Sequence, residues 1–259
     1  MSLNFCFIGA GNLATQLSVA FKDNGFNVIQ IYSRTEDSAT SLAAKLKTSF
    51  TTSVTGITQD ADIYFVALKD SAVEQVLSKS NFRNKLIVHC SGSLPLSILE
   101  KYSDNIGVFY PLQTFTKSRS VSFEKIPIFI EANSKSNEKL LVEIAQKISS
   151  FVSVLNSGKR KYLHLSAVFA CNFVNHFYTI SADILKGREI PFDVLKPLIL
   201  ETALKVQEMD PKNAQTGPAV RFDENIISDH LRELKGLKNY AELYNSISKS
   251  IFEHHKKLK

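Results

Sequence analysis

Up to about residue 155, short apolar runs rich in β-forming residues alternate with amphipathic segments of helix length. The runs cover residues 3–9, 27–33, 61–68, 85–91, 106–111, 126–132 and 151–156. Runs that are apolar on both faces and joined by helical crossovers are typical of parallel strands buried between two layers of helices. This part of the chain is therefore predicted to form an α/β domain with a doubly wound, mostly parallel sheet.

Beyond residue 157 the β-rich runs stop and helical periodicity takes over. The segments 159–186, 192–209, 223–235 and 239–257 repeat their apolar residues with the period of an α-helix. We therefore predict a second, all-α domain, with the two domains at residues 1–157 and 158–259.

The composition of the 259 residues, 44% hydrophobic and 22% charged, is that of a globular protein. The net charge of +6 is spread thinly apart from residues 157–162 and the tail, so a solvated basic surface is expected rather than a nucleic-acid partner. The three cysteines are far apart, which indicates neither a disulfide framework nor a metal site and suits the reducing cytoplasm. Because the least charged stretch, residues 165–182, contains asparagines and a histidine, and no charged leader precedes the first run, neither a membrane span nor a secretion signal is expected.

The stretch "FCFIGAGNLATQL" places a G-x-G-x-x-A pattern between the first apolar run and the first helical segment. In this context Gly9 allows a tight turn, Gly11 lets a pyrophosphate approach the backbone, and Ala14 lets the helix pack closely on the strand. The pattern predicts a dinucleotide site of Rossmann type, and a purely structural turn is the alternative. The residues predicted to bind the cofactor here are Gly9, Ala10, Gly11, Asn12, Leu13 and Ala14.

The end of the second run indicates which dinucleotide is bound. A site for NAD usually carries a carboxylate there, whereas this chain has Ser33, Arg34 and Thr35. A guanidinium pairs with a phosphate through two hydrogen bonds, and the two hydroxyls can donate to it as well. NADP is therefore predicted as the cofactor, and the alternative is that Arg34 is only an exposed loop residue.

Polar residues follow the later runs, at the edge of the sheet where the nicotinamide is expected. Ala67, His89 and Ser91 are predicted to line the cofactor site, and Ser91 and Gln113 the substrate site. For His89 the sequence leaves two readings open, a hydrogen-bonded histidine at a strand end and a catalytic group.

The first helical segment of the second domain carries polar residues on one side. With about 100° per residue, five of them fall within about 80° of one another. They are Lys161, His164, Asn172, Asn175 and Thr179. The apolar face, which includes Phe169, Phe173 and Phe177, is expected to pack within the helical domain, so the polar stripe faces either water or a ligand. Because asparagines are poor helix formers, a stripe that faces a cleft is predicted, and a stripe in water is the alternative.

A proton must accompany hydride transfer to a C=O or C=N bond, and this stripe offers two donors. Histidine ordinarily exchanges its proton near neutral pH, whereas lysine needs desolvation to do so. His164 and Lys161 are therefore both candidate proton donors, with Asn172 and Asn175 expected to orient the substrate.

The segment from Asp210 to Asp223, "DPKNAQTGPAVRFD", interrupts the helical pattern with two prolines and a glycine. We predict an ordered connection in which Pro211 and Pro218 stop helices. Its planar or short polar side chains, Gln215, Thr216 and Arg221, are predicted to contact the substrate, with Arg221 as a carboxylate clamp. A helix linker with capping residues is the alternative.

Taken together, the stretches "GAGNLA", "SRT", "HCSGS", "GVFYPLQTF", "LHLSAVFACNFVNHFY" and "NAQTGPAVRFD" resemble a family of bacterial proteins described as NADP oxidoreductases. That family has a Rossmann-like N-terminal domain followed by a helical domain of unknown function. More distantly, the chain is similar to pyrroline-5-carboxylate reductase, ketopantoate reductase and the β-hydroxyacid and 6-phosphogluconate dehydrogenases. The resemblance implies a homodimer formed through the helical domain.

In the β-hydroxyacid dehydrogenases the long helix carries a catalytic lysine with an asparagine one turn later. Here Lys161 is followed one turn later by Leu165, so the pair is not reproduced and His164 is as good a candidate. The leading hypothesis is an NADP-dependent reductase or dehydrogenase that binds a small carbonyl, imine or hydroxy acid between its domains. The alternatives are a non-catalytic dinucleotide-binding sensor or assembly module, and a reductase with a flavin or deazaflavin as second electron carrier.

Overall fold

The computed structural model describes residues 3–256, and these form two compact units. One unit ends at Asn172 and the other begins at Phe173. The first contains all the strands of the described chain, and the second is built from helices alone.

The first unit is organised around one eight-stranded sheet. Its strands are β1 (Asn4–Ile8), β2 (Asn27–Tyr32), β3 (Ser49–Thr51), β4 (Ile63–Val66), β5 (Leu86–His89), β6 (Asn105–Pro111), β7 (Ile128–Ala132) and β8 (Val152–Val154). All neighbours are parallel except β6 and β7, which are antiparallel. The predicted α/β class with a mostly parallel sheet is confirmed, and each of the seven predicted runs overlaps a strand. The three-residue edge strand β3 was not predicted.

The strand order β3-β2-β1-β4-β5-β6-β7-β8 reverses direction between β1 and β4. After β3 the chain crosses the sheet, so the loops that follow β1 and β4 leave in opposite directions and open a crevice between them. In doubly wound sheets, ligands bind in this crevice, at the carboxyl ends of the strands.

Helices cover the sheet, and aromatic packing fixes them to it. In the first unit they are α1 (Asn12–Asp23), α2 (Glu36–Leu46), α3 (Val73–Leu77), α4 (Lys135–Gln146) and α5 (Ser157–Ala167). Phe21 of α1 lies 4.9 Å, between ring centroids, from both Phe5 and Phe65, and all three are fully buried. Each such side chain stabilises the fold by about 1.5–3 kcal/mol, so the carboxyl ends of β1 and β4 sit on a rigid base.

The segment predicted as one α-helix over residues 159–186 is not uniform. After α5 comes a π-helical stretch, Val168–Phe173, and then α6 (Val174–Lys186). A π-helix bonds residue i to i+5 and so holds more residues per turn than an α-helix. The predicted single polar stripe assumed about 100° throughout. The angles it gave to residues beyond Val168, Asn172 and Asn175 among them, are therefore not those of a uniform α-helix.

The aromatic residues of the predicted apolar face are only partly buried. Phe169, Phe173 and Phe177 are 62%, 44% and 37% exposed. Periodicity identifies an apolar face but carries no information on what covers it. The compact units divide at Asn172, beyond the boundary predicted at residue 157, and the division of labour between two domains stays a prediction.

The second unit continues with five further helices. They are α7 (Lys196–Glu208), α8 (Pro211–Ala214), α9 (Pro218–Arg221), α10 (Glu224–Glu233) and α11 (Lys238–Lys256). Pro211 and Pro218 each occupy the first turn of a short helix, where the missing N–H costs nothing, and Asp210 caps α8 through the N–H of Lys212. Helices α7 and α8 end before Pro211 and Pro218, so each proline separates two helices as predicted and also begins the second of them.

No helix within residues 3–256 is long and apolar enough to cross a membrane. In the same part of the chain no group of three or more metal-ligating side chains comes together. The thiols of Cys6, Cys90 and Cys171 are all free, and the predicted cytoplasmic location stays a prediction.

Candidate active site

The glycine turn predicted from the sequence lies at the crevice between β1 and β4. Gly9 has a φ of +128°, a conformation that residues with a side chain rarely adopt. A Cβ at this position would lie 2.3 Å from the carbonyl oxygen of Ala67, at the end of β4. The N–H of Gly9 donates to the carbonyl of Tyr32 at 2.8 Å. The turn is therefore in contact with the ends of three strands, and only glycine fits.

Helix α1 begins directly after this turn and presents backbone N–H groups at its first turn. Gly11 precedes the helix, and no side chain caps it. A Cβ at Gly11 would meet nothing within 4 Å, so space is open beside these donors. Ala14 is 1% exposed, and its small side chain lets α1 pack on the sheet. Open space, free N–H groups and the helix dipole together suit a pyrophosphate.

The remaining residues predicted for this turn surround the same opening. Ala10 is buried, Leu13 is half-buried and Asn12 is exposed. Their contact with a cofactor stays a prediction.

Ser33, Arg34 and Thr35 connect β2 to α2. Arg34 and Thr35 are exposed, and Ser33 is held by its N–H, which donates to the carbonyl of Thr51 at 3.2 Å. Among residues 3–256, no carboxylate forms an ion pair with Arg34. Its guanidinium is thus uncommitted at the position where the 2′-phosphate of NADP is expected.

His89 ends β5 beneath the loop that follows the strand. Its ring is 1% exposed, and its Nδ1 accepts a hydrogen bond from the N–H of Ser91 at 3.2 Å. Burial, assisted by the positive charge of Arg160, lowers the pKa of His89 to about 4. The imidazole is therefore neutral at neutral pH and remains an acceptor. This contact accounts for Nδ1 alone, so both readings of His89 stay predictions.

The loop above His89 is held by its own hydroxyl groups. The Oγ of Ser91 accepts hydrogen bonds from the N–H groups of Ser93 and Leu94, at 3.1 and 3.2 Å. The hydroxyl of Ser93 in turn donates to the carboxylate of Asp70, in the loop after β4. The loops after β4 and β5 are thus joined at the carboxyl edge of the sheet.

A cavity of about 580 Å³ lies in the first unit between α5, the π-helical stretch and the loop after β6. Its lining is Tyr110, Leu112, Gln113, Thr114, Phe115, Leu163, His164, Ser166, Ala167, Ala170, Cys171 and Asn172. Three residues predicted for the catalytic or substrate site, Gln113, His164 and Asn172, therefore line one cavity. Its volume and mixed lining suit a small organic substrate.

His164 is fixed at the wall of this cavity. Its Nδ1 is hydrogen-bonded to the hydroxyl of Tyr110 at 3.0 Å, and the two rings meet edge to face. A Cβ at Gly92 would lie 2.6 Å from Cγ and Nδ1 of the imidazole, so the backbone of the Ser91 loop touches the ring. Burial raises the pKa of Tyr110, which keeps its hydroxyl neutral. The pair places a titratable nitrogen beside the loop that follows β5.

Other predicted residues lie elsewhere. Lys161, one turn before Leu165, is exposed and does not line the cavity. Asn175, Gln215, Thr216 and Arg221 belong to the second unit. There Thr216 lines an apolar cavity of about 380 Å³, and Arg221 is exposed, 3.8 Å from the carboxylate of Asp223. Their proposed contacts with substrate stay predictions.

Sequence reasoning missed three residues. Tyr110 stands in the quoted stretch "YPLQTF", at the carboxyl end of a predicted strand, and that position was the available signal. Gly92 and Arg160 carried no such signal. Arg160 was counted within a solvated basic cluster, but its side chain is fully buried, because its partners come from distant parts of the chain.

Two family models match the sequence. The model described as "NADP oxidoreductase coenzyme F420-dependent" matches residues 4–92, which include the glycine turn and the Ser91 loop. The model described as "Domain of unknown function (DUF2520)" matches residues 126–251. Among curated proteins, none matches the sequence.

Solved structures are similar over nearly the whole chain. The crystal structure of a putative NADP oxidoreductase from Bacteroides fragilis is 46% identical, covers 97% of this chain and 98% of its own, and has a TM-score of 0.93. A pyrroline-5-carboxylate reductase from Streptococcus pyogenes is 14% identical over 99% of both chains, with a TM-score of 0.63. An imine reductase from Myxococcus stipitatus, in complex with NADP+, is 15% identical, covers 98% of this chain and 93% of its own, and has a TM-score of 0.65. At these identities the two reductases show the fold alone.

Proposed function

The chain belongs to the family of NADP oxidoreductases that includes the Bacteroides fragilis protein, and from this premise we propose that it transfers a hydride between NADP(H) and a small carbonyl, imine or hydroxy-acid substrate. One observation carries the proposal. His164, hydrogen-bonded to Tyr110, lines a cavity and touches the loop that follows the carboxyl end of β5. A proton donor and the edge of the dinucleotide crevice are therefore neighbours.

The cofactor fits the glycine turn and the Ser33–Thr35 segment. The free N–H groups of α1 would bind the pyrophosphate, with Gly11 leaving room for it. The uncommitted guanidinium of Arg34 would pair with the 2′-phosphate. An Arg34→Ala variant is expected to bind NADPH at least about tenfold more weakly while its affinity for NADH stays constant. Equal losses for both dinucleotides, measured by titration calorimetry, would remove Arg34 from the discrimination.

When bound, NADPH supplies a hydride to the electrophilic carbon of the C=O or C=N group. His164 supplies the accompanying proton from Nε2 to the substrate oxygen or nitrogen. The neutral ring left behind carries its remaining proton on Nδ1, 3.0 Å from the Tyr110 oxygen that can accept it, and has a free lone pair on Nε2. In the opposite direction the same lone pair accepts the proton of the hydroxyl or amine. Gln113 and Asn172 would hold the substrate in the cavity.

The test is NADPH oxidation over a panel of small keto acids, ketones, aldehydes and cyclic imines. With a substrate found, His164→Ala is expected to lower kcat by about a hundredfold or more. Tyr110→Phe removes the hydroxyl and keeps the ring. It is expected to lower kcat by about tenfold, because no hydrogen bond then holds the orientation and tautomer of the His164 imidazole. NADPH affinity is expected to be unchanged in both. Normal turnover by His164→Ala would remove that residue from the mechanism and return Lys161 as the candidate.

A second candidate reaction follows from the family model that matches residues 4–92. Its description names coenzyme F420, a deazaflavin, so hydride exchange between NADP(H) and a deazaflavin is the specific rival to a carbonyl or imine substrate. Mixing the protein with NADPH and oxidised F420 tests this, because reduction bleaches the deazaflavin absorbance. NADPH binding without turnover on either set of acceptors would favour a dinucleotide sensor or assembly module.

We further propose a homodimer formed through the helical unit. Helix α7 carries Leu198, Leu200 and Leu204 at 62%, 60% and 48% exposure, which is unusual for a monomer surface. A Leu198→Glu and Leu200→Glu double variant is expected to lower the mass measured by analytical ultracentrifugation from that of a dimer to that of a monomer. A monomeric wild-type protein would contradict the proposal.

A further inference from the structure

Arg160 in the first turn of α5 is fully buried, and its guanidinium is divided between two elements of the first unit. Nη1 donates to the carboxylate of Glu131 on β7 and forms an ion pair with it. The side chain of Glu131 is only 16% exposed. Nη2 donates to the backbone carbonyl of Leu94 at 2.6 Å and to the hydroxyl of Ser157 at 3.1 Å. One side chain therefore joins helix, sheet and the loop after β5.

Ser157, the first residue of α5, completes the same network. Its hydroxyl donates to Oε2 of Glu131 at 2.7 Å and accepts from the N–H of Leu96 at 2.9 Å. The loop is thus held at two backbone groups, the carbonyl of Leu94 and the N–H of Leu96. A hydrophobic side chain in place of Arg160 could satisfy neither the carbonyl nor Glu131.

Arg160 and His164 lie four residues apart on α5 and therefore share one face of the helix. Both contact the same loop, because the backbone of Gly92 touches the ring of His164 while Leu94 receives the guanidinium. The Ser91–Leu96 segment is therefore clamped against two successive turns of one helix. Any change in the Arg160 contacts would move the loop relative to the imidazole.

We propose that Arg160, together with Glu131 and Ser157, is a positioning residue that sets the distance between the Ser91 loop and His164. The proposal rests on the proposed function, in which His164 is the proton donor and the Ser91 loop borders the nicotinamide. Arg160 itself touches neither the cavity nor the glycine turn, so it acts through the loop.

The experiment compares Arg160→Lys with Arg188→Lys. Arg188 is a matched control, since it also pairs with a glutamate, Glu233 at 3.4 Å, but on the exposed surface of the second unit. Lysine keeps the positive charge but is a point donor that does not span Glu131 and Leu94 together. Ser157→Ala is a second variant, which removes the Leu96 contact without leaving a charge unpaired.

Two readouts are needed. The first, which needs no substrate, is the ¹⁵N spectrum of the His164 ring, with His164→Ala giving the assignment. Arg160→Lys and Ser157→Ala are expected to shift the His164 ring signals from their wild-type positions, and Arg188→Lys to leave them in place. The second is turnover, where kcat is expected to fall about tenfold to a hundredfold in Arg160→Lys with the NADPH Kd within about twofold.

A folded Arg160→Lys or Ser157→Ala variant with wild-type His164 signals would overturn the proposal. So would a loss of NADPH affinity in proportion to the loss of kcat, because that would place the effect in the cofactor site. Failure of the proposed function is separate. If His164→Ala turns over normally, or no acceptor is reduced, the ring signals still report whether Arg160 positions the imidazole.

Discussion

The burial of the His89 imidazole leads to a prediction about the stability of the fold that requires no substrate. Burial, and next the charge of Arg160, lowers its pKa from an ordinary 6.5 to about 4 in the folded protein. The unfolded chain therefore binds a proton on His89 between about pH 6.5 and about pH 4, where the folded chain does not. The stabilisation is complete above the unfolded pKa and is lost as the pH falls through this window. Its full size is about 3 kcal/mol, from 1.36 kcal/mol for each unit of pKa.

The perturbation is His89→Asn, whose side-chain oxygen can still accept the N–H of Ser91. Lowering the pH from about 7 to about 5 is expected to cost the wild type about 2 kcal/mol more unfolding free energy than the variant. Urea unfolding followed by circular dichroism measures the difference, since the chain has no tryptophan. The pKa itself comes from the ¹H–¹³C signal of the His89 ring. An identical loss of stability in both proteins, or a ring that titrates near its ordinary pKa, would refute the reasoning.

Two further predictions concern stability and binding. Gly9→Ala is expected to lower the free energy of unfolding by about 2–5 kcal/mol, because its φ of +128° is strained for alanine and the new Cβ would lie 2.3 Å from the Ala67 carbonyl oxygen. Gly11→Ala, with nothing within 4 Å of its Cβ, is expected to change the free energy of unfolding by no more than about 1 kcal/mol while weakening NADPH binding. A Gly9→Ala variant of wild-type stability, or a Gly11→Ala variant that binds NADPH tightly, would contradict these expectations. Arg160→Gln is expected to lower the free energy of unfolding by about 3–5 kcal/mol, because it leaves Glu131 unpaired. In denaturant titrations, the double variant with Glu131→Gln is expected to recover most of this loss. Additive losses in the two single variants would show that charge balance is not the cause.

Local patterns made the sheet and the glycine turn predictable. Each predicted strand is a run rich in β-forming apolar residues between turn signals, a pattern that can be read from local sequence alone. The edge strand Ser49–Thr51 was not predicted, because three residues, two of them polar, are too few to show a periodicity. Its place beside β2 is set by tertiary pairing. The π-helical stretch Val168–Phe173 was not predicted, because a helical wheel assigns the same rotation to every residue.

Candidate residues could be chosen from the sequence where they follow a strand or a helical pattern, but not where their place depends on a distant partner. Gln113 and His164 were identified from strand ends and helix pattern, and they line one cavity. The partner of His164 is Tyr110, 54 residues away, and two partners of Arg160, Glu131 and Leu94, are 29 and 66 residues away. Sequence separation of this size makes such pairs invisible to any rule based on local spacing.

The buried ion pair of Arg160 and Glu131 is difficult to explain as a stability device. Desolvating two charges costs several kcal/mol each, and apolar residues of similar volume are often as stabilising or more so. The same guanidinium contacts the loop carbonyl of Leu94 and helps to lower the pKa of His89, whose neutral Nδ1 accepts the N–H of Ser91. Arg160 thus acts on both ends of the Ser91–Leu94 segment, by a hydrogen bond at one end and by keeping an acceptor neutral at the other. An apolar core would hold the helix to the sheet without fixing either end, so the charge is better explained by the geometry it imposes on the loop that touches His164.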